Sequence, residues 1–144
     1  TANEILVTMH NYGVNNVFYS SNGGATWSKK EGDLPDIPVR CILQNPIDPK
    51  EVIIGTDLGV WYTKNFTDSS PNWSQSYNGM SNVKVTDLDM RDDFKVFAST
   101  YGRGLFSSNF DSETPKLFLE NAVPSTLSVK QNESGTFKIK YNNY

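Results

Sequence analysis

The stretch Glu51-Val52-Ile53-Ile54-Gly55-Thr56-Asp57-Leu58-Gly59-Val60-Trp61-Tyr62-Thr63 decides the fold. Two runs rich in β-branched and aromatic residues flank a short turn that ends in glycine, which is the pattern of a β-hairpin. The pattern stands twice more. Glu4-Ile5-Leu6-Val7-Thr8 is answered by Val17-Phe18-Tyr19-Ser20, and Lys95-Val96-Phe97-Ala98-Ser99-Thr100 by Leu105-Phe106-Ser107-Ser108. The copies start at positions 4, 51 and 95, so the period is about 45 residues, a length at which arrays, solenoids and propellers are built. The first turn is longer, Asn11-Tyr12-Gly13-Val14-Asn15-Asn16, and the third is Tyr101-Gly102-Arg103-Gly104.

The repeat continues past each hairpin. Asn22-Gly23-Gly24-Ala25-Thr26-Trp27-Ser28 is a tight turn ending in an aromatic, and Asn65 to Ser74 is its longer counterpart. The run Leu34 to Ile42 then matches Met80 to Leu88. Each unit therefore holds about four short strands, and Gly and Pro break every stretch that could have made a long helix. Four antiparallel strands per unit of this length is the arithmetic of a β-propeller blade. The expected fold is all-β: two to three such blades over residues 1–110, a polar linker over 111–115, and a different grammar over 116–144. There Lys116-Leu117-Phe118-Leu119, Ser125 to Val129 and Thr136 to Tyr141 read as the first strands of an immunoglobulin-like β-sandwich.

Bulk properties exclude several functions. The 144 residues carry a formal charge of −3 with no basic stripe, so no nucleic-acid partner is expected. No stretch approaches the roughly 20 apolar residues of a membrane span. The aromatic content of 12% and the abundance of Asn, Ser and Thr suit a secreted or cell-surface β module. Cys41 is the single cysteine, so no internal disulfide forms, and its alternating surroundings read as a small core position. The chain opens on Thr1 rather than Met, which is expected of a processed or excised piece. Two to three blades do not close a ring of four to eight, so the expected partners are the remaining blades of a parent protein or another polypeptide.

The segment Ser20-Ser21-Asn22-Gly23-Gly24-Ala25-Thr26-Trp27 resembles the Asp-box, or BNR repeat, whose pattern is Ser-x-Asp-x-Gly-x-Thr-Trp. Ser20, Gly24, Thr26 and Trp27 match, and Asn22 stands where the family usually has Asp. A degenerate second box keeps Thr63, Asn65 and Trp73 around an insertion of three residues, and a third outline rests on Ser107 and Asn109. Gly55 to Trp61 and Thr100 to Phe106 look like elements of the large secreted bacterial proteins of this group, among them type IX secretion cargo. The resemblance implies an Asp-box propeller like those of sortilin-type receptors, sialidases and xyloglucan hydrolases. It also implies secretion machinery as a partner of an exported cargo.

The box has a physical reading of its own. Asn closes turns by bonding backbone amides nearby, glycine supplies positive φ, and tryptophan covers the corner. A structural staple and a ligand-binding turn both remain open for it. A convergent catalytic constellation is not visible. The arginines Arg40, Arg91 and Arg103 are scattered, and Asp57 shares its repeat position with His10 and Tyr101, as a tolerant turn would. Catalytic residues are therefore none in this chain, and a glycan-active hydrolase would carry them in other blades. No metal site is expected from the lone His10; the acidic run Asp87, Asp89, Asp92 and Asp93 is the one set that could attract Ca²⁺. The candidate ligand face consists of Tyr12, Asp57, Tyr101 and Arg103, since equivalent turns of successive blades gather on one side. A glycan, a peptide or a protein is the expected ligand, with a non-catalytic binding or display role.

Overall fold

A computed structural model describes residues 3–77, 79–80 and 82–110. The 111–115 linker and the strands expected over 116–144 lie outside the described residues. Among those described there is no helix, and ten strands form three antiparallel sheets. The first sheet holds β1 (Ile5–Thr8), β2 (Val17–Ser20) and β3 (Ser28–Lys29). The second holds β4 (Val39–Gln44), β5 (Val52–Thr56), β6 (Gly59–Thr63) and β7 (Ser74–Ser76). The third holds β8 (Val85–Met90), β9 (Lys95–Thr100) and β10 (Gly104–Asn109). Each sheet is a meander in which sequence neighbours pair.

The strand registers reproduce the repeat. Ile5 faces Ser20, Val52 faces Thr63 and Val96 faces Ser108, so the three hairpins superpose by pairing. Thr56 faces Gly59 across the two-residue turn Asp57-Leu58, and Thr56 Oγ1 donates to Gly59 O at 2.8 Å. Thr100 faces Gly104 across Tyr101-Gly102-Arg103 and makes the same hydroxyl bond at 2.7 Å. Both β4 and β8 break register at equivalent places, Val39/Cys41 and Val85/Asp87, which marks a shared bulge. The extra residue in the third turn corrects the third box outline. Ser108, not Ser107, occupies the place of Thr63, and Phe110 occupies that of Asn65.

Alternation along the strands sends side chains into two apolar seams. Val17, Leu34 and Ile37 meet Val39, Val52, Ile54, Phe66 and Trp73 between the first and second sheets. Val60, Met80 and Val83 meet Val85, Leu88 and Ala98 between the second and third. On β5, Val52 and Ile54 face one seam while Ile53 packs on the other, as a strand covered on both faces requires. Cys41, partly buried, packs on the second cluster as its strand pattern predicts. Gly32 lets the first sheet's exit loop approach the second. A Cβ there would stand 1.7 Å from Pro71 O, and its φ is +53°.

Candidate functional site

The hairpin turns of the three sheets meet at one end through a run of backbone hydrogen bonds. Val39 N donates to Met9 O at 3.2 Å, and Asp57 N donates to Pro38 O at 3.4 Å. Gly59 N donates to Val83 O, and Tyr101 N to Lys84 O, each at 2.9 Å. The first turn is thus tied to the start of β4, the second to the starts of β4 and β8, and the third to the start of β8. All four predicted ligand-face residues sit on these turns.

Their side chains are arranged unequally. Tyr12 is 59% exposed and Tyr101 is 77% exposed, with Met9, Val14 and Leu58 also exposed on the same turns. Asp57 is engaged: Arg40 Nε donates to its Oδ1 at 2.8 Å, and His10 Nε2 lies 3.6 Å from the same oxygen. Thus the residues at one repeat position of the first two units, His10 and Asp57, are neighbours in space. Partial burial works against the Asp57 charge, but the Arg40 guanidinium, with Lys84 and His10, outweighs it and holds the carboxyl below its usual range. Arg103 lies in the third turn and is exposed.

A buried polar anchor shapes the long first turn. Asn16 is fully buried, and its Nδ2 donates to Asn11 O, Val14 O and Ile37 O at 3.0, 3.3 and 3.1 Å. Glu31 Oε2 accepts from Asn16 N and Val17 N at 2.7 and 3.1 Å, and Gly13 N donates to Asp36 Oδ1 at 2.8 Å. The loop that presents Tyr12 is therefore fixed at both ends. Sequence reasoning missed Asn16 and Glu31; an Asn that ends a glycine-bearing loop just before a strand is the signal that marks the first.

The box lies at the strand ends opposite the turns. Ser20 is buried, and its Oγ accepts from Asn22 N and Gly24 N at 3.3 and 2.8 Å. Asn22 Oδ1 accepts from the Ser20 hydroxyl at 3.0 Å and from Thr26 N at 2.9 Å, while Nδ2 donates to Thr26 Oγ1 at 2.8 Å. Gly24 takes φ +90°, and the Trp27 ring lies against it. Trp27 nonetheless stays 46% exposed, a thinner cover for the corner than its size suggests.

The degenerate second box keeps the same wiring around its insertion. Thr63 Oγ1 donates to Asn65 Oδ1 at 2.8 Å, Asn65 N donates back to Thr63 Oγ1 at 3.3 Å, and Asn72 N takes the place of Thr26 N at 2.9 Å. Here the tryptophan turns inward. Trp73 is buried, its Nε1 donates to Lys30 O at 3.1 Å and its N donates to Asp33 Oδ1 at 2.6 Å. The inserted Phe66 is the largest fully buried side chain among the described residues, edge-on to Tyr19 and Trp73 with centroids 5.9 and 6.3 Å apart. Lys30, 5% exposed, passes its Nζ over the Tyr19 and Phe66 rings and donates to Asp68 O at 2.6 Å. Desolvation lowers its pKa, with the Asp68 charge opposing. Phe66 and Lys30 carried no local signal, since their partners come from another sheet.

Other candidates stand apart from the turn end. Asp87 and Asp89 are exposed on β8 and accept from their following amides, Leu88 N and Met90 N, at 2.9 and 2.8 Å. Asp93 is paired with Arg91. Among the described residues no group of three or more His, Cys, Asp or Glu side chains is placed to hold a metal. No family model, no curated protein and no solved structure matches this chain.

Proposed function

We propose that this chain is a non-catalytic binding or display segment of a large secreted or cell-surface protein, built from consecutive blades of an Asp-box propeller. Its ligand face is the hairpin-turn end. The carrying observation is that Tyr12 and Tyr101 are the most exposed large hydrophobic side chains on the three turns and share that end with the Arg40–Asp57 pair. Exposed aromatic faces stack on sugar rings or peptide planes, and a charged, hydrogen-bonded carboxylate accepts from hydroxyl or amide donors. An Asp57 held ionised is poorly suited to deliver a proton, which favours binding over general-acid chemistry. The blade reading is supported by three equivalent meanders and by two boxes with one wiring, in which the side chains of Ser20, Asn22 and Thr26, and of Thr63 and Asn65, bond within their own turns.

A polypeptide ligand is a second reading, favoured by the exposed apolar side chains of Met9, Val14 and Leu58 beside Tyr12. The test is binding of the chain to a printed glycan array, repeated with Tyr12→Ala/Tyr101→Ala. Binding that is lost in this variant but kept in Trp27→Ala supports the glycan reading. Binding to no glycan removes it. Binding lost only in Trp27→Ala would move the ligand face to the boxes.

A further inference from the structure

The first box writes a chemically labile step into its own turn. Its wiring needs a side-chain carbonyl oxygen at position 22, which accepts from the Ser20 hydroxyl and from Thr26 N. The next residue takes φ +67°, where glycine has the lowest cost. The two demands together give Asn22-Gly23. An asparagine followed by glycine is the pair most open to deamidation, because no Cβ shields the glycine nitrogen from the side-chain carbonyl carbon. The second box has the wiring without this lability. Asn65 Oδ1 accepts from Thr63 Oγ1 and Asn72 N, but Phe66 follows it.

The reaction has two steps. The Gly23 nitrogen attacks Asn22 Cγ, so an N–C bond forms and the Cγ–Nδ2 bond breaks. Nδ2 takes up the proton that the Gly23 amide loses and leaves as ammonia. Water then opens the succinimide at either carbonyl, giving aspartate or isoaspartate at position 22. Each group that must move is held in the folded box. Gly23 N donates to Asn3 O at 2.8 Å, just ahead of β1. Nδ2 donates to Thr26 Oγ1 at 2.8 Å, and Oδ1 is held at 3.0 and 2.9 Å by the Ser20 hydroxyl and Thr26 N. The register that sets Ile5 opposite Ser20 is what brings Asn3 to the box.

We propose that Asn22 is a spontaneous deamidation site that the folded box holds shut, with the segment at Asn3 as its latch. The reaction runs from the locally opened state in which Asn3 and the box have parted. The two products then behave differently. Aspartate keeps both acceptor roles of Oδ1 and lets the box close again. Isoaspartate routes the main chain through the side-chain carbons and lengthens it by a methylene, so the turn no longer brings Ser20 and Thr26 to the same oxygen. That form of the chain stays open at the first box. The inference is independent of the ligand at the turn end.

The test incubates the full chain in warm, mildly alkaline buffer, with and without guanidinium chloride. Peptide mass spectrometry with electron-transfer fragmentation follows each asparagine and tells aspartate from isoaspartate. Asn22 should convert about tenfold or more slowly in the native chain than in denaturant, since several hydrogen bonds must break first. Asn65 should stay unconverted in both. Thr26→Val frees Nδ2, and removal of residues 1–3 takes away the Asn3 acceptor. Each should raise the native rate about threefold to tenfold, the worth of one net hydrogen bond, and leave the rate in denaturant unchanged. Should the shortened chain fail to fold, Thr26→Val decides by itself. The isoaspartate form, separated by ion exchange, should unfold at lower denaturant than the aspartate form. A native rate equal to or above that in denaturant overturns the proposal, because the bonds to Oδ1 would then activate the carbonyl rather than hold it. Native rates indifferent to both variants, or two products of equal stability, also overturn it.

Discussion

Replacing Asn22 separates a box that staples the fold from a box that holds a ligand. Asn22 makes three side-chain hydrogen bonds within its turn, two accepted at Oδ1 and one donated from Nδ2. A net bond contributes about 0.5–1.5 kcal/mol, and the exposed side of this turn lets water replace part of the loss. The hydroxyl of buried Ser20 has no such replacement at hand. Asn22→Ala is therefore expected to cost about 1.5–2 kcal/mol, toward the lower end of the three-bond sum. For a unit of this size that is a fall in Tm of roughly 6–12 °C. Asn22→Asp keeps both acceptor roles, and Thr26 Oγ can turn to donate, so at neutral pH its cost stays within about 0.5 kcal/mol. Urea unfolding of the three chains, read by tryptophan fluorescence, measures both values. A destabilised Asn22→Ala that retains ligand affinity agrees with the staple. An Asn22→Ala of unchanged stability that loses ligand refutes it.

Three further outcomes follow from the geometry. Gly32→Ala sets a Cβ against Pro71 O at a positive φ; strain plus displaced backbone should cost about 2–5 kcal/mol in the same urea assay. Burial, then the Asp87 charge, pushes the Cys41 thiol from 9.0 up to about 11. Its reaction with Ellman's reagent at neutral-to-mild alkaline pH should run roughly a hundredfold slower in the native chain than in urea, following the thiolate fraction. Asp57 has a folded pKa below its unfolded one, so its contribution is complete above the ordinary carboxylate range and is lost as pH falls through the folded value. The stability gap between the native chain and Asp57→Asn should accordingly shrink below about pH 4, and a gap that widens with acid would refute the Arg40 pairing.

What could be read from the sequence is what depends on neighbours along the chain. The glycine-ended turns at Gly59 and Gly104 announced the hairpins, and the hairpins form there. Ser20, Asn22 and Thr26 lie within one turn of each other, so their bonding was implied by their spacing. The second box survives an insertion because only its Asn must reach across, and Asn72 N replaces Thr26 N. The rest depends on other sheets. Phe66 looks like loop sequence and is buried because the first sheet offers Tyr19 and Lys30 beneath it. Lys30 looks like a surface charge and is buried because Asp68 O receives its ammonium. The third box outline slipped by one residue because the Tyr101-Gly102-Arg103 turn is longer than Asp57-Leu58, and only strand pairing reveals that. At the hairpin-turn end, the turns were legible, while the tie between Arg40, Asp57 and His10 spans three separate segments.

The most direct test of the binding account is chemical-shift mapping of the isotope-labelled chain titrated with the best-bound glycan from the array. The account predicts shifts at Tyr12, Asp57, Leu58 and Tyr101, and their disappearance in Tyr12→Ala/Tyr101→Ala with the fold intact. Shifts confined to the box segments, Ser20 to Ser28 and Thr63 to Ser74, would contradict it.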